Sequence, residues 1–379
     1  MYNIALIPGD GIGPEIVREG KKVIDLASKL YGVNIHWTEY PFGTEYYLKT
    51  RELLPDSALK EMEDMNAIYL GAVGDPRVEP GILEKEILLK LRFHFDQYIN
   101  LRPIKLLKGV STPLQDKKPE DINFYVVREN TEDFYIGIGG RFQGLKSKEH
   151  LSVARKLYQT SIEVDFTLKE EEELAYQLGF ISKSGTQRVI RYAFELAQKK
   201  GLKRVSSVDK ANVLSSIYGL WRDTFREIAQ QYPQIETEFT FVDAITMWFV
   251  RKPEWFQVVV APNMFGDIIT DLGAMIQGGL GVAAGGNINP EGISMFEPIH
   301  GSAPKYKDQG IANPIATILA GAMMMDFLGE TKIAKDIEGA VEEVLSEGKV
   351  RSRDFGGSAS TVEVGEAVVS QLKKLNRFK

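Results

Sequence analysis

Asp267 and Asp271 stand four residues apart in the segment NMFGDIITDLGAM, residues 263–275. The segment reads as a helix, and that spacing puts both carboxylates on one face. Like charges so placed repel, and nothing in the local sequence neutralises them; a cation would. A donor set made only of oxygen favours Mg²⁺ or Mn²⁺ over zinc. Such a pair alone is more often two exposed surface aspartates. Asp243, near the end of the strand-like run FTFVDA, adds a third carboxylate and strengthens the metal reading.

Arginines are the second signal. LLKLRFHFDQYINLRP holds Arg92 and Arg102, and YVVREN holds Arg128 at a strand end. Guanidinium groups pair bidentately with carboxylates, so three converging ones would suit a dicarboxylic acid. Spacing does not reveal convergence, and a single arginine is more often structural. Lys210, at the tip of an apolar strand and followed by Asn212, could act as a base if desolvated near other cations. Tyr135, just beyond the Arg128 strand, could supply a proton. FEPIHGSAPKY (296–306) followed by IANP (311–314) reads as a stiff loop of small residues around His300. A flat ligand could approach its backbone. His36, His94 and His150 have no metal-like spacing.

The elements that must position these groups alternate between strand-like and helix-like along most of the chain, predicting an α/β fold with a largely parallel sheet. INFYVVREN, RVSSVDKAN, FTFVDA and FQVVVAPN are apolar runs with charged or amide C-terminal tips. Ligands of open α/β sheets bind outside the carboxyl ends of strands, so four such tips predict one shared cleft. In IPGDGIGPEIV, Gly9, Gly11 and Gly13 alternate, whereas the dinucleotide fingerprint is G-x-G-x-x-G. The third glycine comes one residue early and Pro14 follows it. Residues 146–169 are mixed and charged, and Glu170 to Glu173 follow directly. They read as an inserted, solvated excursion or arm.

The 379 residues are enough for two domains, and 44% apolar with 26% charged residues is ordinary globular composition. A net charge of −6 argues against a general nucleic-acid or anionic-membrane surface. Without cysteine there are no disulfides, thiolate nucleophiles or cysteine zinc sites. With no secretory signal and no membrane-length apolar run, the expected location is cytoplasmic.

Together, IPGDGIGPE, NLRP, RENTE, DKAN, NMFGDIITDLG and HGSAP…IANP resemble, in content and order, the β-decarboxylating dehydrogenases that act on isocitrate, 3-isopropylmalate, homoisocitrate and tartrate or D-malate. LLKLRFHFDQYINLRPIKLLKGV, FYVVRENTEDFY and RYAFELAQ look most like the tartrate/D-malate branch. The resemblance implies an isocitrate/isopropylmalate dehydrogenase-like two-domain fold, not a Rossmann fold, with the cleft between the domains. Residues 1–97 plus 278–379 would form the cofactor-binding domain and 98–277 the inner, dimerising one. It implies metal-dependent oxidative decarboxylation of a 2-hydroxy diacid of the D-malate or tartrate type. Activity on 3-isopropylmalate, or a non-catalytic regulatory subunit, is the alternative. Asp243, Asp267 and Asp271 would hold Mg²⁺ or Mn²⁺, and the resemblance allows for a monovalent cation as well. Arg92, Arg102 and Arg128 would hold the substrate carboxylates, with Leu88 and Leu89 reading its third substituent. Lys210 would take the hydroxyl proton and Tyr135 would protonate the enol. Ile12, Ala72, Asn212, Glu297, His300, Gly301, Ser302, Ala303, Lys305, Tyr306 and Asn313 would line the NAD or NADP site. Lys305 stands where NAD-using relatives place an aspartate, which tilts the expectation toward NADP or dual use. A homodimer with shared active sites follows, Lys210 and Asp243 each reaching the partner's site.

Overall fold

The computed structural model describes residues 1–377. The N-terminal part runs β1 (Tyr2–Gly9), α1 (Gly13–Leu30), β2 (Ile35–Glu39), α2 (Thr44–Thr50), α3 (Asp56–Met62) and β3 (Ala67–Ala72). A wide π-type turn (Glu84–Leu89) then leads into α4 (Lys90–His94), β4 (Ile99–Lys105) and β5 (Asn123–Glu129). Two long strands follow, β6 (Asp133–Ala154) and β7 (Gln159–Phe180). The middle continues with α5 (Lys183–Lys200), β8 (Arg204–Asp209), α6 (Ser215–Ala229), β9 (Glu236–Phe241), α7 (Val242–Arg251), β10 (Val258–Ala261) and α8 (Asn263–Ile276). The chain closes with β11 (Ala284–Ile288), β12 (Ser294–Pro298), α9 (Ile315–Phe327), α10 (Thr331–Glu347) and α11 (Thr361–Arg377).

Local sequence explains these elements. In α1, Ile16, Val17, Val23, Ile24 and Ala27 repeat at helical spacing and are all buried, while Pro14 occupies the first turn, where a missing N–H costs nothing. Ser182 caps α5 by accepting from the Gly185 amide at 3.0 Å, and Gly201 ends that helix at φ 69°. The α9 helix is apolar on nearly every side because it is wrapped by β11, β12, α1 and α10.

Ten strands form one sheet in the order β2-β1-β3-β12-β11-β4-β5-β10-β8-β9. Pairing is parallel toward both ends and antiparallel in the middle, where β4 and β11 run against their neighbours. The largely parallel sheet read from the sequence is therefore present, with an antiparallel centre that carries the chain from one half to the other. A core around β5, β8 and β10 with α5 to α8 is separate from a second core built by α1, α9, α10 and α11. A third lies between the N-terminal strands and the segment before Arg92.

The strands β6 and β7 pair only with each other, from Asp133 opposite Phe180 to Ala154 opposite Gln159. They form an exposed ribbon with a small apolar root of Ile136, Ile138 and Val153. Residues 146–169 are the half of this ribbon nearer its turn, and that half folds back on the base, Arg155 donating to Thr131 O at 2.8 Å and to Ile136 O at 3.0 Å; the excursion starts earlier and ends later than its charge pattern suggests. The alternation of half-buried and exposed positions, not charge, marks its limits. Among the described residues no helix is long and apolar enough to cross a membrane.

Candidate active site

The three arginines do converge on Asp267, from three separate elements. Arg128, at the end of β5 and 1% exposed, donates Nη1 to Asp267 Oδ1, while its Nε and Nη2 bond Asn263 Oδ1 at 3.0 and 2.7 Å. Gly266 makes this approach possible: a Cβ there would lie 2.5 Å from Arg128 Cγ. Arg102 Nη2 reaches Asp267 Oδ1 at 3.5 Å and Nη1 reaches Asp271 Oδ1 at 3.6 Å. Arg92, in α4, is buried and adds its positive charge to the field at Asp267. The Tyr135 hydroxyl donates to Asp267 Oδ2 at 2.6 Å, and its ring lies 5.0 Å from the Arg128 guanidinium carbon.

Opposing forces set the charges of this cluster. Burial pushes the Asp267 carboxyl up, but Arg128, the Tyr135 bond and Arg102 outweigh it and leave the group below its usual range. Asp271 moves the other way, because burial exceeds the help from Arg102 and Asp267 repels it. Burial pulls the Arg128 guanidinium down to about 10. Tyr135 is raised, by burial and then by Asp267, so its hydroxyl keeps its proton.

The aspartate pair is on one helix face, as its spacing requires, but it is not uncompensated. Arg128 and Arg102 supply the positive charge, and they come from strands far away in sequence. The third carboxylate does not join it. Asp243, in the first turn of α7, accepts from Lys210 Nζ at 2.6 Å, a bond that holds its carboxyl below the usual range. Among the described residues no three His, Asp or Glu side chains gather to hold a metal. The four polar strand tips lie side by side, since β5, β10, β8 and β9 are consecutive parallel neighbours, and along that edge the side chains pair as two sets: Arg128 with Asn263, and Lys210 with Asp243. Only β10 stands between β5 and β8, and β9 closes the edge beyond β8. Asn212 sits exposed beside Lys210 on that outer group.

The cofactor candidates fall mostly around one loop. Ile12 N donates to Ser302 O at 2.8 Å, and Ser302 Oγ donates to Gly74 O at 2.6 Å, just past Ala72. Gly11, at φ 57°, permits the contact, since a Cβ would lie 1.9 Å from Ser302 O. The opening glycines thus pack the first turn onto the HGSAP loop. His300 Nε2 is buried without a partner, and burial lowers the ring's pKa, leaving a neutral imidazole with a free position. Gly301 is open and Ala303 turns through φ 42°. Lys305 and Tyr306 are exposed, the ammonium 4.7 Å from the ring centroid. Asn313 is held by Asp354 at 3.0 Å. Glu297 faces inward, accepting from Asn287 at 2.6 Å and Arg92 at 3.5 Å. An orphaned ring nitrogen beside small, unencumbered residues fits a flat cofactor. Two carboxylates on one face fit a hard divalent cation, short of one donor.

Leu89, Phe93 and Tyr135 share the wall of a cavity of about 790 Å³ with Lys85 and Glu86. Leu88 packs instead on the N-terminal core, and Ile87 is fully buried. Sequence reasoning missed Asn263 and Thr270, which accepts from Arg102 Nη1 at 2.7 Å. Asn263 opens α8 directly after a polar-tipped strand, and that was a usable signal; Thr270 had none.

These features have counterparts in known proteins. The profile described as isocitrate/isopropylmalate dehydrogenase matches residues 3–368. A 3-isopropylmalate dehydrogenase of Thermobifida fusca is 44% identical over 97% of both chains. A probable tartrate dehydrogenase/decarboxylase of Bacillus subtilis is 36% identical over 99% of both. The crystal structure of isocitrate dehydrogenase from Methylococcus capsulatus superposes with a TM-score of 0.83 at 36% identity, covering 98% of this chain and 100% of that one. Profile, relatives and fold agree over nearly the whole length. The chain belongs to the isocitrate/isopropylmalate dehydrogenase family and is a nicotinamide-dependent decarboxylating dehydrogenase.

Proposed function

We propose that the enzyme oxidises and decarboxylates a malate bearing an apolar substituent at C3, of the 3-isopropylmalate type. The observation that carries this is that Leu89 and Phe93 line a cavity together with Lys85, Glu86, Lys90 and Tyr135, the last bonded to Asp267 within an arginine cluster suited to two carboxylates. Relatives named 3-isopropylmalate dehydrogenase, at 42–44% identity, support it over the D-malate or tartrate reading. The 36% identical tartrate relative keeps that second reading in view.

In this reading Arg92, Arg102 and Arg128 bind and orient the two carboxylates. Lys210 Nζ takes the C2 hydroxyl proton, and after CO₂ leaves, Tyr135 Oη delivers a proton to the enol carbon. Asp267 and Asp271, with Asp243 from a second copy, would hold Mg²⁺ or Mn²⁺, which supplies charge stabilisation at the C2 oxygen, while a nicotinamide at the His300 loop supplies the hydride acceptor. Lys305, exposed where it could meet a 2′-phosphate, supports NADP⁺ or dual use. A homodimer is supported by the exposed apolar Met247, Trp248 and Val250 on α7 with Ile268 and Met275 on α8. In the same reading residues 1–97 with 278–379 form one domain and 98–277 the other.

A panel of 3-isopropylmalate, D-malate, tartrate and isocitrate, each with NAD⁺ and NADP⁺ and Mg²⁺ or Mn²⁺, tests the substrate. Turnover of the alkyl malate should exceed the rest by about tenfold or more. A higher kcat/KM for any of the other three overturns it.

A further inference from the structure

Two of the arginines are tied together by a single line of buried side chains. Arg102 Nε donates to Asn100 Oδ1 at 2.7 Å, Asn100 Nδ2 to Asn287 Oδ1 at 2.9 Å, and Asn287 Nδ2 to Glu297 Oε1 at 2.6 Å. Arg92 Nη2 reaches the same Glu297 oxygen at 3.5 Å. From Arg102 onward every donor points toward the Glu297 carboxylate, so the bond dipoles align and reinforce one another.

The sheet builds this line. Asn100 and Arg102 lie two apart on β4 and share a face, and Asn100 is directly opposite Asn287 on β11. Glu297 stands one diagonal step away on β12. Asn100 and Asn287 are 0% exposed. The Asn287 amide has one workable orientation. Its oxygen accepts from Asn100 and, at 3.0 Å, from Asn130, while its nitrogen faces a carboxylate. Turning it over would set oxygen against Glu297 and NH₂ against two other NH₂ groups. An apolar filling would suit a purely structural core at less desolvation cost.

We propose that Asn287, acting with Asn100, is a positioning residue for diacid binding. It fixes the Arg102 guanidinium through Nε, leaving Nη1 and Nη2 directed at the Asp267–Asp271 face, and holds Arg102 and Arg92 in register through one carboxylate. The inference rests on the reading of those arginines as carboxylate-binding groups of a hydroxy-diacid dehydrogenase.

Asn287→Asp is the test. It keeps size and one acceptor oxygen but puts a second oxygen where Glu297 is met by an amide. KM for the preferred diacid should rise about tenfold, the scale set by leaving buried polar groups mismatched, with kcat within about threefold. Asn100→Ala, which removes the Arg102 Nε acceptor, carries the same expectation if the first variant does not fold. In Asn287→Asp/Arg102→Lys, where the Nε donor is absent, the KM increase should fall well short of the product of the single effects. A lowered Tm with unchanged KM in both single variants, or full multiplicativity in the double, overturns the proposal. A wild-type enzyme that turns over no hydroxy-diacid instead refutes the reading on which it rests.

Discussion

The two groups of reactive side chains are built differently. Around Asp267, Arg128 is 1% exposed, and each charge has partners on other elements. Lys210 and Asp243 form a lone pair with side chains 26% and 65% exposed. Exposed pairs of this kind contribute little to stability, so folding does not explain the second group. The first is a charge cluster that one chain balances within itself, although it is one donor short for a divalent cation. The second is turned outward beside the apolar residues of α7 and fits a role in a neighbouring copy's site.

Removing Asp267 should give the largest effect. Asp267→Asn keeps shape but loses the charge shared by Arg128, Arg102 and the proposed cation. Turnover should fall by about a thousandfold or more. Circular dichroism should still show the native fold, with a lower Tm because Arg128 loses its charge partner. Near-normal activity would contradict the metal role.

The outward group gives the next test. Lys210→Met alone should also be inactive. Each variant is defective in a different group, so a shared site allows complementation. If the two inactive variants are denatured and refolded together, half the dimers are mixed, each with one intact site, and activity should return to about a quarter of wild type. No recovery would mean that Lys210 serves its own chain and that the comparison between a self-balanced and a donated group fails.

The sequence made the local parts of this arrangement legible. The helical phase of Asp267 and Asp271, the buried face of α1 and the strand before Lys210 are short-range patterns, and each is where the spacing put it. What one chain could not disclose was which strand tips meet. Arg128 and Asp267 are 139 residues apart and meet because β5 pairs with β10, whose end starts α8. That pairing also supplies the countercharge that the helix lacks in its own sequence. That the four tips share one edge follows from their sequences; which side chains touch there depends on the sheet order, which has no signature in composition or period. The line through Asn100 and Asn287 escaped for the same reason, since isolated buried amides have no pattern.

Lys305 is an exposed cation whose ammonium lies 4.7 Å from the Tyr306 ring centroid. Lys305→Asp should shift the ratio of kcat/KM for NADP⁺ to that for NAD⁺ by about tenfold toward NAD⁺, because a phosphate partner becomes a repelling carboxylate. An unchanged ratio would detach this loop from cofactor choice. Tm should stay close to wild type, in contrast to Asp267→Asn.

The self-balanced group has a cost that the outward one lacks, and this gives the smallest effect. Glu129 follows Arg128 into the interior, and burial, then the charge of Glu132, pushes its carboxyl up to about 7 from 4.5. Bonds from the Thr131 and Glu132 amides at 2.8 and 2.9 Å favour the charged form but do not win. The folded state therefore holds a proton that the unfolded state has already released between about pH 4.5 and 7. More protons bound to the folded form means that stability falls as pH rises through that window. Glu132 and Asp133 are raised too and act in the same sense. Asp267, lowered by its arginines, acts oppositely and only at more acid pH. Glu129→Gln cannot titrate, so between pH 5 and 8 its Tm should decline less steeply than that of wild type, though not level off. A lost acceptor for the Glu132 amide should also lower the whole curve. Two parallel Tm curves would show that Glu129 is already ionised in the folded protein across this range.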